Sequence, residues 1–186
     1  MELNDAWRWF NDNYPGIAKH LLPYKTKAEA RTDKGDFWWE LRASDYYDEF
    51  YKPKIVYPNI CRQPEFIWEE NGYFTNQKCF LITHVSKYVL AILNSSLTFY
   101  LFKQILPKLR GDFYEPSYVY FKDFPIAEAS ENQKAEIEFI VEDILKSKKE
   151  NSKADTLNSE QQIDQLVYQL YNLTPEEIQT IESSIK

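Results

Sequence analysis

The sequence predicts an α+β fold, with a mixed or antiparallel sheet region, flanking helices and a helical C-terminal extension. Short aromatic or β-branched runs separated by Pro, Gly and Asn, from residue 34 to residue 83, indicate strands. Apolar residues at three- and four-residue intervals before and after that region indicate helices. A chain of 186 residues, 44% of them apolar, can bury one core together with a helical appendage.

The first half of the chain alternates between these two patterns. Apolar spacing up to Leu22 predicts two short helices, the second starting at Pro15. Strands are predicted at Phe37–Trp39, Ile55–Tyr57, Phe66–Trp68 and Cys79–Ile82. Asn71-Gly72 tolerates positive φ at both positions, so a hairpin turn is predicted there, before Tyr73-Phe74.

The second half is mostly helical. Helical spacing runs from His84 to Lys108, and Asn94-Ser95-Ser96 is expected to divide it into two helices. Strand character resumes at Phe113-Tyr114 and at Tyr118–Phe121. Three tail helices are then predicted, from a capping box at Ser130 and Gln133, from apolar spacing over Ile163–Tyr171, and from the cap and first-turn proline at Thr174-Pro175.

Charge is unevenly distributed along the chain. The net charge of −7 argues at first against a nucleic-acid partner, because neutralising phosphates requires clustered Lys and Arg. Residues 1–126 are balanced, with 16 basic and 16 acidic side chains, whereas residues 127–186 carry 6 and 13. All of the excess acid lies in the tail, so the front part could still present a basic face.

Other compositional features bound the class of protein. No apolar run is long enough to cross a bilayer and the first residues do not resemble a signal peptide, so we expect a cytoplasmic protein without a membrane partner. Cys61 and Cys79 are expected to be reduced and structural.

Catalytic motifs are scarce. The sequence contains no glycine-rich phosphate loop, H-E-x-x-H or G-x-S-x-G motif, and His20 and His84 have no metal-ligand spacing with the cysteines. Asp33, Asp36 and Glu40 could hold magnesium in a nuclease. Such spacing is common among solvated groups in a chain with 27% charged residues, so the nuclease hypothesis is disfavoured.

Two segments interleave cations with aromatic residues and turn formers. Lys52 and Lys54 surround a proline at the start of a predicted strand, where they would point to one side. They either clamp a phosphate or protect a sheet edge. Lys108 and Arg110 precede a glycine, where Arg110 and backbone N–H groups could approach a phosphate or a guanine edge.

Six short segments, taken in their order along the chain, resemble a known protein family. They are Lys34–Arg42, Lys52–Pro58, Ala91–Ser95, Arg110–Tyr114, Phe124–Ile126 and, in the tail, Ile163–Tyr171. In that order they resemble the TaqI-like C-terminal specificity domain. Members of this family recognise the target sequence for adenine-specific DNA methyltransferases and for single-chain restriction-modification enzymes.

The resemblance implies that two parts of the chain have different roles. Residues 1–126 are expected to form a DNA target-recognition domain, and residues 127–186 a helical extension that packs on the body or on a partner. The implied partners are double-stranded DNA and a methyltransferase domain, in cis or as a separate subunit. That domain binds S-adenosylmethionine and flips out the adenine. No cofactor is expected in this chain, and S-adenosylmethionine and magnesium are expected only in the missing domains.

The same resemblance supplies the candidate residues. The methyltransferase motif Asn/Asp-Pro-Pro-Tyr is absent, so the chain is expected to be catalytically silent, as a fragment or a split subunit. The candidate DNA-binding residues are Arg42, Lys52, Lys54, Lys108, Arg110 and Tyr114. Base contacts are expected from polar loops, at Arg62-Gln63, at residues 71–78 and around Tyr114. The main alternative is a protein-interaction module that uses the helical tail.

Overall fold

The first of two packing units ends at Asp48, and the second begins at Glu49. The computed structural model describes residues 2–42 and 44–185. In the first unit the two predicted helices are confirmed. The helices of this unit are α1 (Leu3–Asn13), α2 (Pro15–Leu21) and, after a 3-10 turn at Leu22–Tyr24, α3 (Lys25–Glu29). Pro15 occupies the first turn of α2, where its missing N–H leaves no hydrogen bond unmade.

The strand predicted at Phe37–Trp39 is wrong, because this segment forms turns. The Glu40 carboxylate accepts the Phe37 N–H at 3.0 Å, and the Glu40 N–H donates to the Phe37 carbonyl at 3.1 Å. The rings pack into an aromatic cluster with Trp7 and Phe10 of α1. Aromatic residues favour strands only where their side chains can pack on the surface of a sheet. Here the side chains pack in the aromatic cluster instead.

The second unit contains a three-stranded antiparallel sheet in the order β2-β1-β3. Its strands are β1 (Lys54–Pro58), β2 (Ile67–Glu69) and β3 (Cys79–Thr83), as predicted, and a 3-10 turn at Tyr47–Tyr51 precedes them. Ile55 lies opposite Trp68 on one side and Ile82 on the other. The central position of β1 explains why its first four residues are all buried.

The hairpin predicted at Asn71-Gly72 is also wrong. Gly72 does adopt a φ of +78°, so a turn forms where the sequence predicts one. Tyr73 and Phe74 form no strand, however, and β2 pairs with β1. The loop from residue 70 to 78 instead carries the chain across to β3, on the other side of β1.

Two predicted helices follow the sheet, as α4 (Lys87–Asn94) and α5 (Ser96–Ile105). The predicted break is confirmed at Ser95, whose hydroxyl accepts the Thr98 N–H and caps α5. The Asn94 amide reaches back to the sheet, accepting the Phe66 N–H at 3.1 Å and donating to the Phe66 carbonyl at 2.9 Å. A residue at a helix end thus fixes α4 against the start of β2.

A small hairpin and one helical turn come next. The hairpin consists of β4 (Lys108–Leu109) and β5 (Phe113–Tyr114), and α6 covers Tyr118–Phe121. The strand predicted over residues 118–121 is therefore wrong. Phe121 is buried against Tyr57 and Phe66. A single helical turn is therefore enough to bury this aromatic side chain.

The tail consists of α7 (Glu131–Glu150), α8 (Leu157–Leu170) and α9 (Pro175–Ser184). The predicted capping box at Ser130 and Gln133 is confirmed, and Thr174 forms a second one with Glu177. α7 packs on α4, and α8 and α9 pack on α5. One core includes residues of the sheet, the central helices and the tail: Ile55, Ile92, Phe102, Ile137, Val167, Tyr168 and Ile181.

Helices combined with small antiparallel sheets confirm the predicted α+β class. The functional division at residues 126 and 127 stays a prediction. Within residues 2–42 and 44–185, none of the helices combines the length and hydropathy that a bilayer crossing requires. Both cysteine thiols are free, with Cys61 buried.

Candidate functional site

The hairpin of β4 and β5 presents a three-residue loop, Arg110-Gly111-Asp112. Lys108 lies opposite Tyr114, and Leu109 opposite Phe113. Gly111 and Asp112 both adopt positive φ, at +83° and +60°. Glycine adopts positive φ freely, and aspartate is among the few other residues that tolerate it. This explains why these two residues occupy the turn. Arg110 is exposed beside them.

A second segment is joined to this hairpin. The Cys61 N–H donates to the Tyr114 carbonyl at 3.1 Å, and the Tyr114 N–H donates to the Cys61 carbonyl at 2.7 Å. This bridge brings the exposed Arg62 to the hairpin, where its guanidinium lies 4.7 Å from the centre of the Phe113 ring. We call residues 108–114 together with Arg62 the basic hairpin.

The electrostatics of the basic hairpin favour an anionic ligand. The Lys108 amino group lies 2.8 Å from the Asp112 carboxylate. The hydrogen bond and charge of Lys108, with a contribution from Arg62, hold the pKa of Asp112 below its usual value. Asp112 in turn raises the pKa of Lys108. Both groups are therefore ionised at neutral pH, and three cations outnumber one carboxylate in the basic hairpin.

The sequence predicts base contacts from the Arg62-Gln63 loop, but it does not group Arg62 with Lys108 and Arg110. Its association with Lys108 and Arg110 depends on the Cys61–Tyr114 bridge, which joins segments far apart in the chain. In the local sequence Arg62 is a cation next to a cysteine. That neighbourhood does not indicate that Cys61 pairs with Tyr114.

The prediction that Lys54 contacts phosphate is wrong. Lys54 is fully buried, forms an ion pair with Glu69 and donates to the Phe50 carbonyl at 2.6 Å. Burial alone would raise the pKa of Glu69, but hydrogen bonds from Lys54 and from two backbone N–H groups outweigh it and lower that pKa. The pair is structural.

Lys52 is exposed, as a phosphate contact requires, but its charge is already paired. Its amino group lies 2.5 Å from the Glu49 carboxylate, which also lies 3.2 Å from His84 Nε2. The hydrogen bond from Lys52 lowers the pKa of Glu49 despite some desolvation. A DNA contact by Lys52 stays a prediction.

The two remaining candidates differ in exposure. Tyr114 is buried, with its ring edge-on to Phe99 at 6.5 Å, so the prediction that it touches DNA is wrong. The residue contributes its backbone to the bridge with Cys61 and its ring to the core. Arg42 is exposed in the first unit, and its predicted DNA contact stays a prediction.

Two of the three carboxylates that could hold magnesium in a nuclease have other contacts. Glu40 accepts the Phe37 N–H, and Asp33 lies 3.7 Å from Arg31. Among the residues that the structure describes, no three His, Cys, Asp or Glu side chains are grouped so as to hold a metal ion.

Comparison with known proteins places this fold. The chain resembles the solved structure of the Type IIL restriction-modification enzyme MmeI in complex with DNA, with a TM-score of 0.59 and 15% identity over 78% of this chain. The chain spans 22% of that enzyme. At this identity the likeness concerns the fold alone. No curated protein matches the chain.

A family model, the TaqI-like C-terminal specificity domain, matches residues 11–126. The tail segment 163–171, which also resembles the family in sequence, lies outside that match. Since the matched region covers more than half of the chain, the protein belongs to the family of TaqI-like C-terminal specificity domains.

Proposed function

We propose that this chain recognises a DNA sequence as the specificity domain of a restriction-modification enzyme, and that it carries no catalytic group of its own. Membership of a specificity-domain family supports the proposal. The observation that carries it is the meeting of three exposed cations, Arg62, Lys108 and Arg110, around one short hairpin.

The two-stranded form and the exposed cations of the basic hairpin suit duplex DNA. The major groove admits a two-stranded β-ribbon, and an arginine can bind the O6 and N7 atoms of guanine with two hydrogen bonds. We assign that role to Arg110. Arg62, held against the Phe113 ring, loses less side-chain freedom on binding than a free arginine would. Lys108 then contacts a phosphate, which sets the register on the duplex.

The parent enzyme in this proposal is an adenine-specific methyltransferase, with or without a fused endonuclease. In this proposal S-adenosylmethionine and magnesium would bind to the other domains of that enzyme. A methyltransferase domain, in cis or as a subunit, would act on the adenine that the specificity domain locates.

Fluorescence anisotropy with labelled duplex DNA over a series of salt concentrations tests the proposal. Lys108→Gln removes the cation that contacts a phosphate. The slope of log K against log salt should then fall in magnitude by about 0.9, the contribution of one phosphate contact. Binding should also weaken at every salt concentration.

The matched control is Lys134→Gln. Lys134, on α7, also lies 2.8 Å from a carboxylate, that of Glu131, just as Lys108 does from Asp112. This control should leave the slope unchanged. An unchanged slope in the Lys108→Gln variant, or an equal loss in the control, contradicts the proposal.

One observation favours a second function, a protein-interaction module. Phe139 on α7 and Leu157 on α8 are 76% and 56% exposed, respectively, so the tail carries apolar surface. Native mass spectrometry with and without duplex DNA separates the two functions. The first predicts a protein–DNA complex, whereas the second predicts protein assemblies that are indifferent to DNA.

A further inference from the structure

The first unit contains a pocket of about 350 Å³ that none of the predicted site residues lines. Its walls come from the end of α2, from α3 and the turns on either side of it, and from the segment around Trp38. The lining residues are Leu21, Tyr24, Lys27, Ala28, Arg31, Trp38 and Trp39. We call it the aromatic pocket. Its volume is within the range of small-molecule sites, about 300–1,000 Å³.

The aromatic walls are fixed in place. Trp39 stacks on Phe37, with ring centres 4.8 Å apart and planes at 5°, and on Phe10 at 5.6 Å and 22°. Trp38 is buried and meets Trp39 edge-on at 5.5 Å. Tyr24 is 52% exposed. Rigid rings that already pack on one another lose little freedom when a flat ligand joins them.

The charged residues that line the pocket are Lys27 and Arg31, which are both basic, and none of the lining residues is acidic. Asp33, which does not line the pocket, lies 3.7 Å from Arg31. The Arg31 guanidinium is held by its hydrogen bond to the Glu40 carbonyl at 2.5 Å. Lys27 is exposed and makes no ion pair with another residue that the structure describes. Cationic ligands are therefore disfavoured, and the best ligand combines a flat ring with a negative charge.

We propose that the aromatic pocket binds one nucleotide whose base lies outside the double-helical stack, with its phosphate held by Lys27 and Arg31. The base stacks on the exposed Tyr24, while Trp39, which already stacks with Phe37 and Phe10, forms a wall of the pocket. Stacking of a base on an aromatic side chain is independent of sequence because every base presents a flat face. We take the nucleotide to come from DNA that this chain binds, and in that respect the proposal rests on the proposed function.

The test uses the full chain and a short single-stranded oligonucleotide that contains 2-aminopurine, whose fluorescence is quenched on stacking. We expect saturable quenching. Tyr24→Ser should weaken binding by about tenfold, the loss expected for one stacked base. Lys27→Gln should reduce the magnitude of the salt slope by about 0.7, the value for one phosphate contact on a single strand.

Two controls match these variants. Lys25→Gln alters a lysine on the same helix that pairs with Glu29 at 3.8 Å and does not line the pocket. Tyr14→Ser removes a tyrosine of similar exposure, 48%, elsewhere in the first unit. Near-ultraviolet circular dichroism checks that each variant folds. Equal losses in variants and controls overturn the proposal.

The last comparison uses an oligonucleotide that has the same charge but carries abasic residues in place of the bases. If it binds as tightly as the intact strand, the pocket holds backbone only and the proposal is overturned. If the chain binds duplex DNA through the basic hairpin but gives no quenching, the pocket proposal alone fails. If quenching depends on Tyr24 and Lys27 while duplex binding is absent, the pocket stands and the proposed function fails.

Discussion

Lys52 and Lys54 show how burial decides the role of a residue. Both flank the same proline, and both could contact a phosphate on sequence grounds. Lys54 begins the central strand, opposite Glu69 on β2 and Thr83 on β3, so its side chain is enclosed. There its ammonium group donates to the Phe50 carbonyl and ties the preceding turn to the sheet. Lys52, two residues earlier, stays exposed.

Lys54→Met tests the structural role. The change leaves the buried Glu69 carboxylate without its cation, and such a loss costs about 3 kcal/mol in free energy of unfolding. Adding Glu69→Leu should recover much of the stability, because an apolar pair replaces an ion pair. Urea unfolding measures both, with Lys52→Met as the exposed control. A Lys54→Met variant as stable as the control contradicts the assignment.

Asp164 predicts a dependence of stability on pH. Its carboxylate accepts the Ser96 N–H at 2.7 Å and the Ser96 hydroxyl at 2.6 Å, at the start of α5. Burial raises the pKa of Asp164 above 3.8, although the Ser96 hydrogen bonds oppose this. Because the folded protein holds the proton more tightly, this contribution to stability is complete below pH 3.8 and is lost as the pH rises through the folded pKa.

Asp164→Asn removes this titration and keeps an oxygen that accepts the Ser96 N–H. The free energy of unfolding of the wild type, minus that of the variant, should fall as the pH rises from about 4 to about 7. Urea denaturation at a series of pH values measures this difference. A difference that stays constant or grows with pH shows that Asp164 does not titrate as inferred.

At the scale of elements, periodicity predicts the long helices and the capping boxes because both depend on neighbours in sequence. Ser130 with Gln133, and the break at Ser95, are local signals of this kind. The aromatic runs at Phe37–Trp39 and Tyr118–Phe121 instead depend on which distant surface receives their rings. The same limit applies to the basic hairpin, since Arg62 joins it through a bridge between distant residues.

Asp112→Asn tests the electrostatics of the basic hairpin. Asparagine tolerates the φ of +60° and keeps the shape of the side chain, while Lys108 loses its charged partner. Duplex binding at low salt should strengthen, with a salt slope steeper by up to about 0.9. Asp123→Asn is the control, since Asp123 is also exposed and lies 3.7 Å from a lysine. Equal effects of the two changes would contradict a local role for the hairpin.

At the scale of the whole molecule, the tail belongs to the core of the second unit. Ile137, Val167, Tyr168 and Ile181 are all buried in the cluster that contains Ile55 of the central strand. The sequence predicts the tail helices but cannot decide whether they pack on the body or on a partner, because an amphipathic face fits either. The structure adds that α7 to α9 pack on α4 and α5.

A chain that ends at Ala129 should therefore fail to form the second unit. It loses the four buried tail residues named above, and large core truncations cost about 2–5 kcal/mol each. Near-ultraviolet circular dichroism and amide hydrogen exchange measure the loss of packing. Native-like spectra and protection in residues 54–114 of the truncated chain would show that the tail is an appendage.

Charge separation is the other property of the whole molecule. The net charge of −7 resides in residues 127–186, while the basic hairpin concentrates cations on a neutral front part. In the proposed function, recognition of DNA therefore depends on a local surface and not on the overall charge.

Selection of bound duplexes from a random-sequence pool tests the central claim most directly. The wild-type chain should enrich one sequence motif, and Arg110→Gln should relax the preference at one base pair, by about 1–3 kcal/mol, while leaving the rest of the motif intact. No enriched motif with the wild-type chain, or a motif unchanged by Arg110→Gln, would contradict recognition of DNA by the basic hairpin.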